Sequence, residues 1–462
     1  MGDAIPPLTP KKEINLLRGW PHFSLLPVEK IKKASQKALA DEKTVIPGLC
    51  YGPDPGFQPL RESIQRWTGR FFGDEGKMRD GEKIGDRICI TGGASQNLAC
   101  VLQVFSDPIY TNVWMVAPCY FLACRIFEDS GVVIGAVPEG DEGVDLEYLR
   151  KKLETEDAKP ATRLKSQKPW SKIYRHIIYC VPTFSNPSGK TMSLTCRQSL
   201  IQLARKHDAL IITDDVYDSL LWSTTPSTSN PTKAVLPRLI DVDRTLEPTP
   251  GKDSFGNAMS NGSFSKIAGP GVRTGWAEAS PKFIYGLSQC GSSRSGGAPS
   301  QLTATMINEL LVSGDLENHI QNTLIPAYKR RCEFMVDAIT KYLSPLGVSV
   351  GETSFSSTSS SSDGVFGGYF IWIDLPSDIN AEVVSLKARQ QENLIVAPGK
   401  LFEVYGDESV TFPNSIRLCF SFEEEKDLAE GVERLGNAIK AVRESGAGNK
   451  GLGGEVDLAL FR

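Results

Sequence analysis

Short apolar segments alternate with helical patterns through the middle of the chain. Six runs rich in β-branched and other apolar residues have the length of buried strands: 87–91, 113–117, 132–137, 176–181, 209–213 and 260–264. Strands that alternate with helices indicate crossover connections. The pattern therefore predicts an α/β fold with a mostly parallel central sheet.

One helix of this region can be bounded from the sequence. Thr195 and Gln198 have the spacing of a capping box, and Leu200 and Leu203 follow on one face. The helix is expected to end near His207, directly before the next strand.

The pattern changes after about residue 325. A long helical stretch leads into apolar runs at 368–374, 393–396 and 415–420, which predicts a smaller α+β domain. The predicted division is a segment that packs on the small domain (1–50), a large domain (51–324), the small domain (325–445) and a tail (446–462).

Three stretches are rich in Ser, Thr, Pro and Lys, and they are predicted to be surface loops: 154–172, 223–257 and 353–363.

Composition narrows the class of protein. The chain has 462 residues, of which 40% are hydrophobic, and its net charge of −4 gives no general reason to bind nucleic acid or an anionic membrane. It contains no run of about 18 apolar residues, so no membrane span is expected. The polar start and the scattered cysteines predict a soluble cytoplasmic protein, and four histidines in the whole chain make a metal site unexpected.

The first candidate site is Ser263-Phe264-Ser265-Lys266, which is followed by Arg273. Once its ammonium loses a proton, a lysine can condense with an aldehyde, while hydroxyls and a guanidinium suit a phosphate. The segment therefore fits a phosphorylated aldehyde. Taken alone, it also fits a basic loop beside a strand.

Other polar motifs follow the predicted strands. The glycine-rich turn at 92–97 leads into a helix, an arrangement that suits a phosphate but is common. The segments 186–189 and 214–217 each follow a strand directly, at the edge where ligands bind in parallel sheets. A carboxylate there can pair with a protonated ring nitrogen. The alternatives are an ordinary turn for Asn-Pro-Ser-Gly and a helix cap for Asp-Asp.

In this order the motifs resemble those of the fold type I pyridoxal 5′-phosphate enzymes, class I/II aminotransferase family. Within the family, the chain is most similar to the branch of 2-aminoadipate, kynurenine and aromatic aminotransferases. The resemblance extends from about residue 15 to about residue 440. Seven matching segments carry it: 51–56 with 60–61, 91–96, 118–120, 186–189, 214–217, 263–266 with 273, and 416–418.

The resemblance implies a role for each matched residue. Lys266 would bind the cofactor covalently and later move a proton. Asp214 would pair with the pyridine nitrogen, and Asn186 and Tyr217 would contact the ring oxygen. Asp214 is favoured over Asp215 because the family places this carboxylate three residues before the tyrosine, and adjacent strand residues point to opposite faces.

The remaining roles concern the phosphate, the ring face and the substrate. Tyr120 would stack on the ring, Tyr51 would reach the phosphate of the neighbouring subunit, and Arg417 would clamp the substrate carboxylate with help from the backbone near Gly19. The phosphate would be held by Ser95, Gln96, Ser263, Ser265 and Arg273.

The expected protein is therefore a homodimeric aminotransferase that acts by a ping-pong mechanism. Large apolar, aromatic or 2-aminoadipate-like side chains are expected, although residues 18–22 depart from the smaller residues common in relatives. A lyase, decarboxylase or cyclising enzyme with the same cofactor stays open. A cofactor-sensing regulator and a structural protein with an inactive site are further alternatives, which Lys266, Asp214 and Arg417 disfavour.

Overall fold

The computed structural model describes residues 11–74, 78–79, 81–160, 162–225, 228–247, 253–294, 299–351 and 364–445. The predicted loop 353–363 and the tail 446–462 lie outside the described residues, as do parts of the predicted loops 154–172 and 223–257. Both of these loop predictions are wrong in part, because residues 154–157 end a helix and Leu239–Thr245 form a buried helix whose apolar residues pack into the core.

The strands of the described residues are β1 (Ile14–Asn15), β2 (Ile88–Thr91), β3 (Asn112–Ala117), β4 (Val133–Gly140), β5 (Gly143–Val144), β6 (His176–Cys180), β7 (Leu210–Asp214), β8 (Leu221–Ser223), β9 (Ala258–Ser263), β10 (Gly275–Glu278), β11 (Ser349–Val350), β12 (Val365–Gly367), β13 (Phe370–Asp374), β14 (Leu394–Ile395), β15 (Ala397–Pro398) and β16 (Ser415–Cys419).

The α-helices are α1 (Val28–Ala40), α2 (Glu42–Leu49), α3 (Gln58–Phe72), α4 (Ala94–Phe105), α5 (Phe121–Asp129), α6 (Leu146–Asp157), α7 (Leu194–Lys206), α8 (Leu239–Thr245), α9 (Pro281–Ser288), α10 (Gly291–Arg294), α11 (Gln301–Val312), α12 (Asp315–His319), α13 (Ile325–Tyr342), α14 (Ala381–Glu392) and α15 (Glu425–Glu444).

An eight-stranded sheet forms the centre of the fold, in the order β2-β10-β9-β7-β6-β3-β4-β5. The strands from β9 to β4 are parallel neighbours, whereas β10 is antiparallel to both β2 and β9. The predicted α/β fold and its mostly parallel sheet are confirmed. All six predicted strands are present, and their ends differ from the predicted ones by at most three residues.

Alternating side chains give the sheet two buried faces. In β3, Val113 and Met115 pack with α4, α5 and α9, whereas Trp114 and Val116 pack with α6, α7 and α8. Neighbouring strand residues point to opposite sides, so an almost wholly apolar strand supplies both cores. The strand ends are thereby held firmly enough to position a site.

The start of α7 corrects one detail of the sequence analysis. Ser193 caps this helix, and its side chain accepts a hydrogen bond from the backbone N–H of Cys196. The predicted cap at Thr195 is wrong because Thr195 already lies inside the helix. The predicted end is confirmed, since His207 is the C-terminal cap.

A second, antiparallel sheet has the order β11-β13-β16-β15, and helices α13, α14 and α15 pack together beside it. The N-terminal segment reaches this region, because β1 pairs in parallel with β14. The residues after β1 are therefore brought close to β16. In the part of the chain that the structure describes, no helix is long and apolar enough to cross a membrane.

Candidate active site

A cleft of about 550 Å³ opens where the N-terminal segment, the central sheet and β16 meet. The structure brings most of the predicted site residues to its wall. Those that line it are Gly19, Ser95, Tyr120, Asn186, Asp214, Tyr217, Ser263, Ser265, Lys266, Arg273 and Arg417.

Two predicted residues do not line this cleft. The side chain of Gln96 turns back to its own turn, where Oε1 accepts a hydrogen bond from Gly92 N at 2.9 Å and Nε2 contacts Cys100 Sγ. Tyr51 is 91% exposed and points into solvent in the single chain. A direct contact of the Gln96 side chain with a ligand in the cleft would require a different rotamer.

Lys266 ends the short turn that follows β9. Its Nζ donates a hydrogen bond to the carbonyl of Gly19 at 2.7 Å and lies 5.3 Å from the centre of the Tyr369 ring. Loss of water around the ammonium lowers the pKa of Lys266 to about 8. The amine can therefore lose its proton near neutral pH, which is the condition for attack on an aldehyde.

Asp214 is the last residue of β7 and is 8% exposed. Burial raises the pKa of its carboxyl group to about 7. The hydrogen bond that Oδ2 accepts from the Tyr179 hydroxyl at 3.0 Å has the opposite, smaller effect on this pKa. Among the described residues, Oδ1 has no hydrogen-bond partner although it is buried. A buried, unpartnered carboxylate oxygen at a cleft wall is suited to a cationic N–H group of a ligand.

Asp215 lies away from the cleft. Its Oδ2 accepts hydrogen bonds from Thr213 Oγ1, at 2.6 Å, and from Ser260 Oγ. The charges of Arg238 and Arg197 also act on it. The alternation of the strand thus separates the two neighbouring carboxylates, as the sequence predicts.

The turn between β2 and α4 forms one wall of an anion cradle. Gly93 has a φ of +102°, and a Cβ at this position would lie 2.6 Å from Arg273 Nη2. Arg273 donates from Nη2 to the carbonyl of Gly92 at 2.7 Å and from Nη1 to the carbonyl of Pro270 at 2.9 Å. Glycine is therefore needed for the close approach of this guanidinium to the start of α4.

The hydroxyls of the cradle come from the turn after β9. Ser263 Oγ accepts a hydrogen bond from Ser265 N at 3.1 Å and donates to Ser265 Oγ at 2.9 Å. Ser95 lies in the first turn of α4, whose N–H groups have no partner within the helix. Hydroxyls, a guanidinium and a helix N-terminus together suit a phosphate.

Arg417 lies in the middle of β16 and is 2% exposed. Its Nη1 donates to Asn186 Oδ1 at 2.7 Å, and its Nη2 donates to the carbonyl of Leu17. The guanidinium carbon lies 4.1 Å from the centre of the Phe370 ring. Burial lowers the pKa of Arg417, yet an arginine keeps its charge, so the site holds a fixed cation bonded to neutral acceptors that a carboxylate can replace.

Two tyrosines of the predicted set complete the wall. Burial raises the pKa of Tyr120 to about 12, so this hydroxyl stays protonated at neutral pH. Burial also raises the pKa of Tyr217, whose ring centre lies 5.8 Å from Lys266 Nζ. Both can donate a hydrogen bond to a ligand.

Sequence reasoning missed Tyr179 and Tyr369. Tyr179 lies one strand away from Asp214, and the register pairs it with Ile212, two residues before Asp214 on the same face. That register was the signal that could have identified it. The hydroxyl of Tyr369 donates to the carbonyl of Lys266 at 3.2 Å and also bonds to the Tyr328 hydroxyl. The position of Tyr369 in an aromatic stretch of the sequence did not indicate its contact with Lys266.

The groups in the cleft fit pyridoxal 5′-phosphate. The cradle of Ser263, Ser265 and Arg273 matches its phosphate, and the unpartnered Oδ1 of Asp214 matches its ring N–H. The amine of Lys266, with its lowered pKa, matches its aldehyde.

Comparison with known proteins agrees with this geometry. Residues 11–435 match the family model described as "Aminotransferase class I and II". An uncharacterised protein of Saccharomyces cerevisiae is 36% identical over 450 residues, covering 93% of this chain and 97% of the yeast protein. Aromatic-amino-acid aminotransferase 1 of Thermococcus litoralis is 28% identical over 427 residues, covering 92% of this chain and 88% of that protein.

Among solved structures, the chain is similar to an α-aminoadipate aminotransferase of Thermus thermophilus, complexed with N-(5′-phosphopyridoxyl)-L-leucine. The TM-score is 0.71 at 26% identity, and the match covers 94% of this chain and 93% of that one. The bound molecule of that structure joins the pyridoxal phosphate group to an amino acid.

Proposed function

The chain belongs to the class I and II aminotransferases, and we propose that it exchanges an amino group between an α-amino acid with a large side chain and a 2-oxo acid. It is a transaminase that depends on pyridoxal 5′-phosphate. The observation that carries the proposal is the convergence of Lys266, Asp214 and Arg417 on one cleft. These three groups supply an amine, a ring-nitrogen acceptor and a carboxylate clamp.

Each residue has a separate task in the proposed reaction. The bound cofactor supplies an electron sink for the α-carbon of the amino acid. Asp214 would accept a hydrogen bond from the ring N–H of the cofactor and so favour the protonated form of that nitrogen. Lys266 would hold the cofactor through its aldehyde group, with loss of water, and once the substrate has displaced it the free amine would take the α-proton and return it.

Arg417 orients the amino acid. A planar guanidinium binds a carboxylate through two parallel hydrogen bonds, which fixes the position of the α-carbon as well as its charge. Its present acceptors, Asn186 Oδ1 and the carbonyl of Leu17, are neutral. Leu17 lies two residues before Gly19, whose carbonyl accepts a hydrogen bond from Lys266. The α-hydrogen is thereby directed towards one acid–base group.

The side-chain pocket has an apolar and aromatic wall. Trp20, Phe121, Leu122 and Leu401 line the cleft together with Tyr120. A wall of this kind favours large apolar, aromatic or 2-aminoadipate-like side chains over that of aspartate. Two of the relatives described above are named for aromatic amino acids and for α-aminoadipate, which supports the same choice.

We further propose a homodimer in which each subunit lends Tyr51 to the phosphate of its partner. Tyr51 is 91% exposed, and the nearby Ile46 and Leu49 are exposed as well. A cluster of large exposed apolar side chains is typical of a surface that is covered in an assembly. A two-fold axis would then bring the Tyr51 of each subunit to the phosphate site of the other.

The proposed function is tested by mixing the cofactor-loaded protein with single amino acids and following the absorbance of the bound aldehyde. Aromatic amino acids, leucine and 2-aminoadipate are expected to convert the cofactor to pyridoxamine phosphate, and a 2-oxo acid is expected to restore the aldehyde. A panel in which aspartate reacts best and aromatic amino acids are inert contradicts the pocket assignment. Conversion that no oxo acid reverses contradicts amino transfer.

A further inference from the structure

Arg18 lies in the wall of the cleft, between the two contacts that the N-terminal segment makes with the reacting groups. The carbonyl of Leu17 accepts a hydrogen bond from Arg417, and the carbonyl of Gly19 accepts one from Lys266 at 2.7 Å. Arg18 follows the first and precedes the second, and it lines the same cleft. A substrate bound at Arg417 and Lys266 is therefore a neighbour of Arg18.

Two aromatic rings hold the guanidinium of Arg18. Its central carbon lies 5.3 Å from the centre of the Trp20 ring and 5.5 Å from that of Phe422. The two rings meet edge to face at 5.8 Å, and Ser421 Oγ donates to the carbonyl of Trp20 at 2.8 Å. A guanidinium that packs on rings keeps its N–H donors directed outward in its own plane, where they can bind an anion.

Arg18 has no carboxylate partner in the described part of the chain. The charge of Arg18 has an electrostatic effect on Glu423, but these two residues form no ion pair. Instead, the Oε1 atom of Glu423 accepts a hydrogen bond from Asn15 N at 2.7 Å. Glu424 faces His22 instead, at 3.2 Å from Nε2. The guanidinium is thus held in place without being neutralised.

The balance of charged side chains in the cleft also points to Arg18. Its described lining carries four cationic side chains, those of Arg18, Lys266, Arg273 and Arg417, and a single carboxylate, that of Asp214. In the proposed function, Arg273 faces the phosphate, Arg417 the α-carboxylate and Lys266 the aldehyde, while Asp214 faces the ring nitrogen. These assignments leave Arg18 as a cation without an anion.

We propose that Arg18 binds a second carboxylate, carried by the substrate side chain. The substrates then include, beside those with apolar side chains, dicarboxylic amino acids and 2-oxo acids whose side chain is longer than that of aspartate, which is the 2-aminoadipate-like part of the proposed range. This inference rests on the proposed function and deepens it, because it names the group that selects the side chain. The planar guanidinium of Arg18 suits a carboxylate better than an ammonium group would, because it can form two parallel hydrogen bonds at once.

The competing explanation is that Arg18 only covers the rings of Trp20 and Phe422. Arginine stems often pack on apolar surface while the charged end remains in water. In that case a change at Arg18 affects every ligand of the cleft alike. A second-carboxylate site instead affects only ligands that carry that group.

The test compares two unreactive ligands of equal length, glutarate and pentanoate, which differ in one carboxylate. Their dissociation constants are measured by calorimetry on the cofactor-loaded wild-type protein and on Arg18→Gln. Glutarate is expected to bind the wild-type protein more tightly than pentanoate does. In Arg18→Gln, the ratio of the two constants is expected to fall by about 10- to 100-fold, the size of a lost hydrogen bond to a charged group.

Two further variants make the comparison decisive. Arg18→Lys keeps the charge and loses the fork, so it is expected to lose part of the preference for glutarate even if Arg18→Gln does not fold. Arg66→Gln, on α3, removes one charge from an exposed ion pair with Glu62 and is expected to keep the wild-type ratio. An unchanged ratio in the folded Arg18 variants, or an equal loss for both ligands, overturns the proposal.

The outcome is independent of amino transfer because neither ligand carries an amino group. A protein that binds glutarate through Arg18 but converts no amino acid contradicts the proposed function alone. A protein that converts amino acids but shows no preference dependent on Arg18 contradicts this inference alone.

Discussion

Asp214 is a buried carboxyl group whose surroundings reduce the stability of the folded protein at neutral pH. Its carboxyl group is buried with one oxygen unpartnered, and its pKa is raised from an ordinary value of 3.8 to about 7. The folded protein therefore holds this proton more tightly than the unfolded chain does. Native stability contributed by Asp214 is accordingly lost as the pH rises from about 4 to about 7.

An Asp214→Asn variant tests this without the cofactor. Its free energy of unfolding, relative to that of the wild-type protein, is expected to improve by about 2–3 kcal/mol between about pH 5 and about pH 8, because the amide does not ionise. Denaturant titrations at the two pH values measure the difference. With cofactor present, the variant is expected to be severely impaired in turnover. A pH-independent difference in stability contradicts the raised pKa, and near-normal turnover contradicts the assignment to the ring nitrogen.

Lys266 is expected to capture the cofactor only when its amine is neutral. The rate of covalent capture should rise with pH, reach half of its maximum near the Lys266 pKa of about 8 and level off above it. Borohydride reduction followed by peptide mapping measures the bond. Lys266→Ala is expected to bind the cofactor through the phosphate cradle but to show no reducible bond. Cofactor trapped on the same peptide of that variant contradicts the role of Lys266.

Arg417 is expected to serve every α-amino acid alike, because the group that it is proposed to bind is the carboxylate that all of them share. Arg417→Lys keeps the charge but loses the two-point fit, so KM should rise for each substrate by the equivalent of about 2–4 kcal/mol. Steady-state kinetics with an aromatic and an acidic amino acid measure the change. A rise in KM confined to the acidic substrate would contradict this role, because Arg417 would then bind the side-chain carboxylate and not the α-carboxylate.

At the scale of elements, α7 links the central sheet to the loop that carries Asn186. Arg197, on this helix, donates to the carbonyl groups of Pro182 and Met192 at 2.9 and 3.0 Å, on the two sides of that loop. The cap of the helix at Ser193 lies at the end of the same loop. The helix N-terminus therefore helps to fix Asn186 beside Arg417.

The corrected cap can be tested with a matched pair of variants. Ser193→Ala removes the acceptor of the Cys196 N–H and is expected to lower the free energy of unfolding by about 1 kcal/mol. Thr195→Ala, at an exposed position inside the helix, is expected to change it by less than about 0.5 kcal/mol. Chemical denaturation measures both. The reverse order of effects would restore Thr195 as the cap.

Elements with a strong pattern were predictable, and those set by tertiary contacts were not. The apolar β-branched runs gave the six strands because a strand buried on both faces must be apolar throughout. Gly275–Glu278 has no such run, and its antiparallel insertion as β10 was missed. The cap was misplaced by two residues because Ser193 and Thr195 both offer a hydroxyl, and local sequence does not distinguish them.

At the scale of the whole molecule, the cleft depends on segments that are far apart in the chain. Motif order predicted Lys266, Asp214 and Arg417, which the structure brings to one cleft, but the contacts of Leu17 and Gly19 with Arg417 and Lys266 depend on the pairing of β1 with β14. Pairing over such a separation leaves no local pattern, so Tyr369 and the position of Arg18 could not be deduced. The division into domains of 51–324 and 325–445 stays a prediction.

The proposed shared site makes a prediction about assembly. Tyr51→Phe and Lys266→Ala are each expected to be nearly inactive alone, and a mixture that exchanges subunits is expected to recover part of the activity. Hybrid dimers contain one site with both native residues. Activity assays after denaturation and joint refolding measure the recovery, and mass measurement verifies the exchange. No recovery despite proven exchange contradicts a site shared between subunits.

The most direct test of the central claim follows the amino nitrogen through both halves of the reaction. The cofactor-loaded protein is incubated with a nitrogen-15-labelled amino acid, freed of small molecules, and then given an unlabelled 2-oxo acid. The label is expected to appear in the newly formed amino acid, in an amount limited by the number of active sites. Release of the label as ammonia, or a new amino acid without the label, would contradict this expectation.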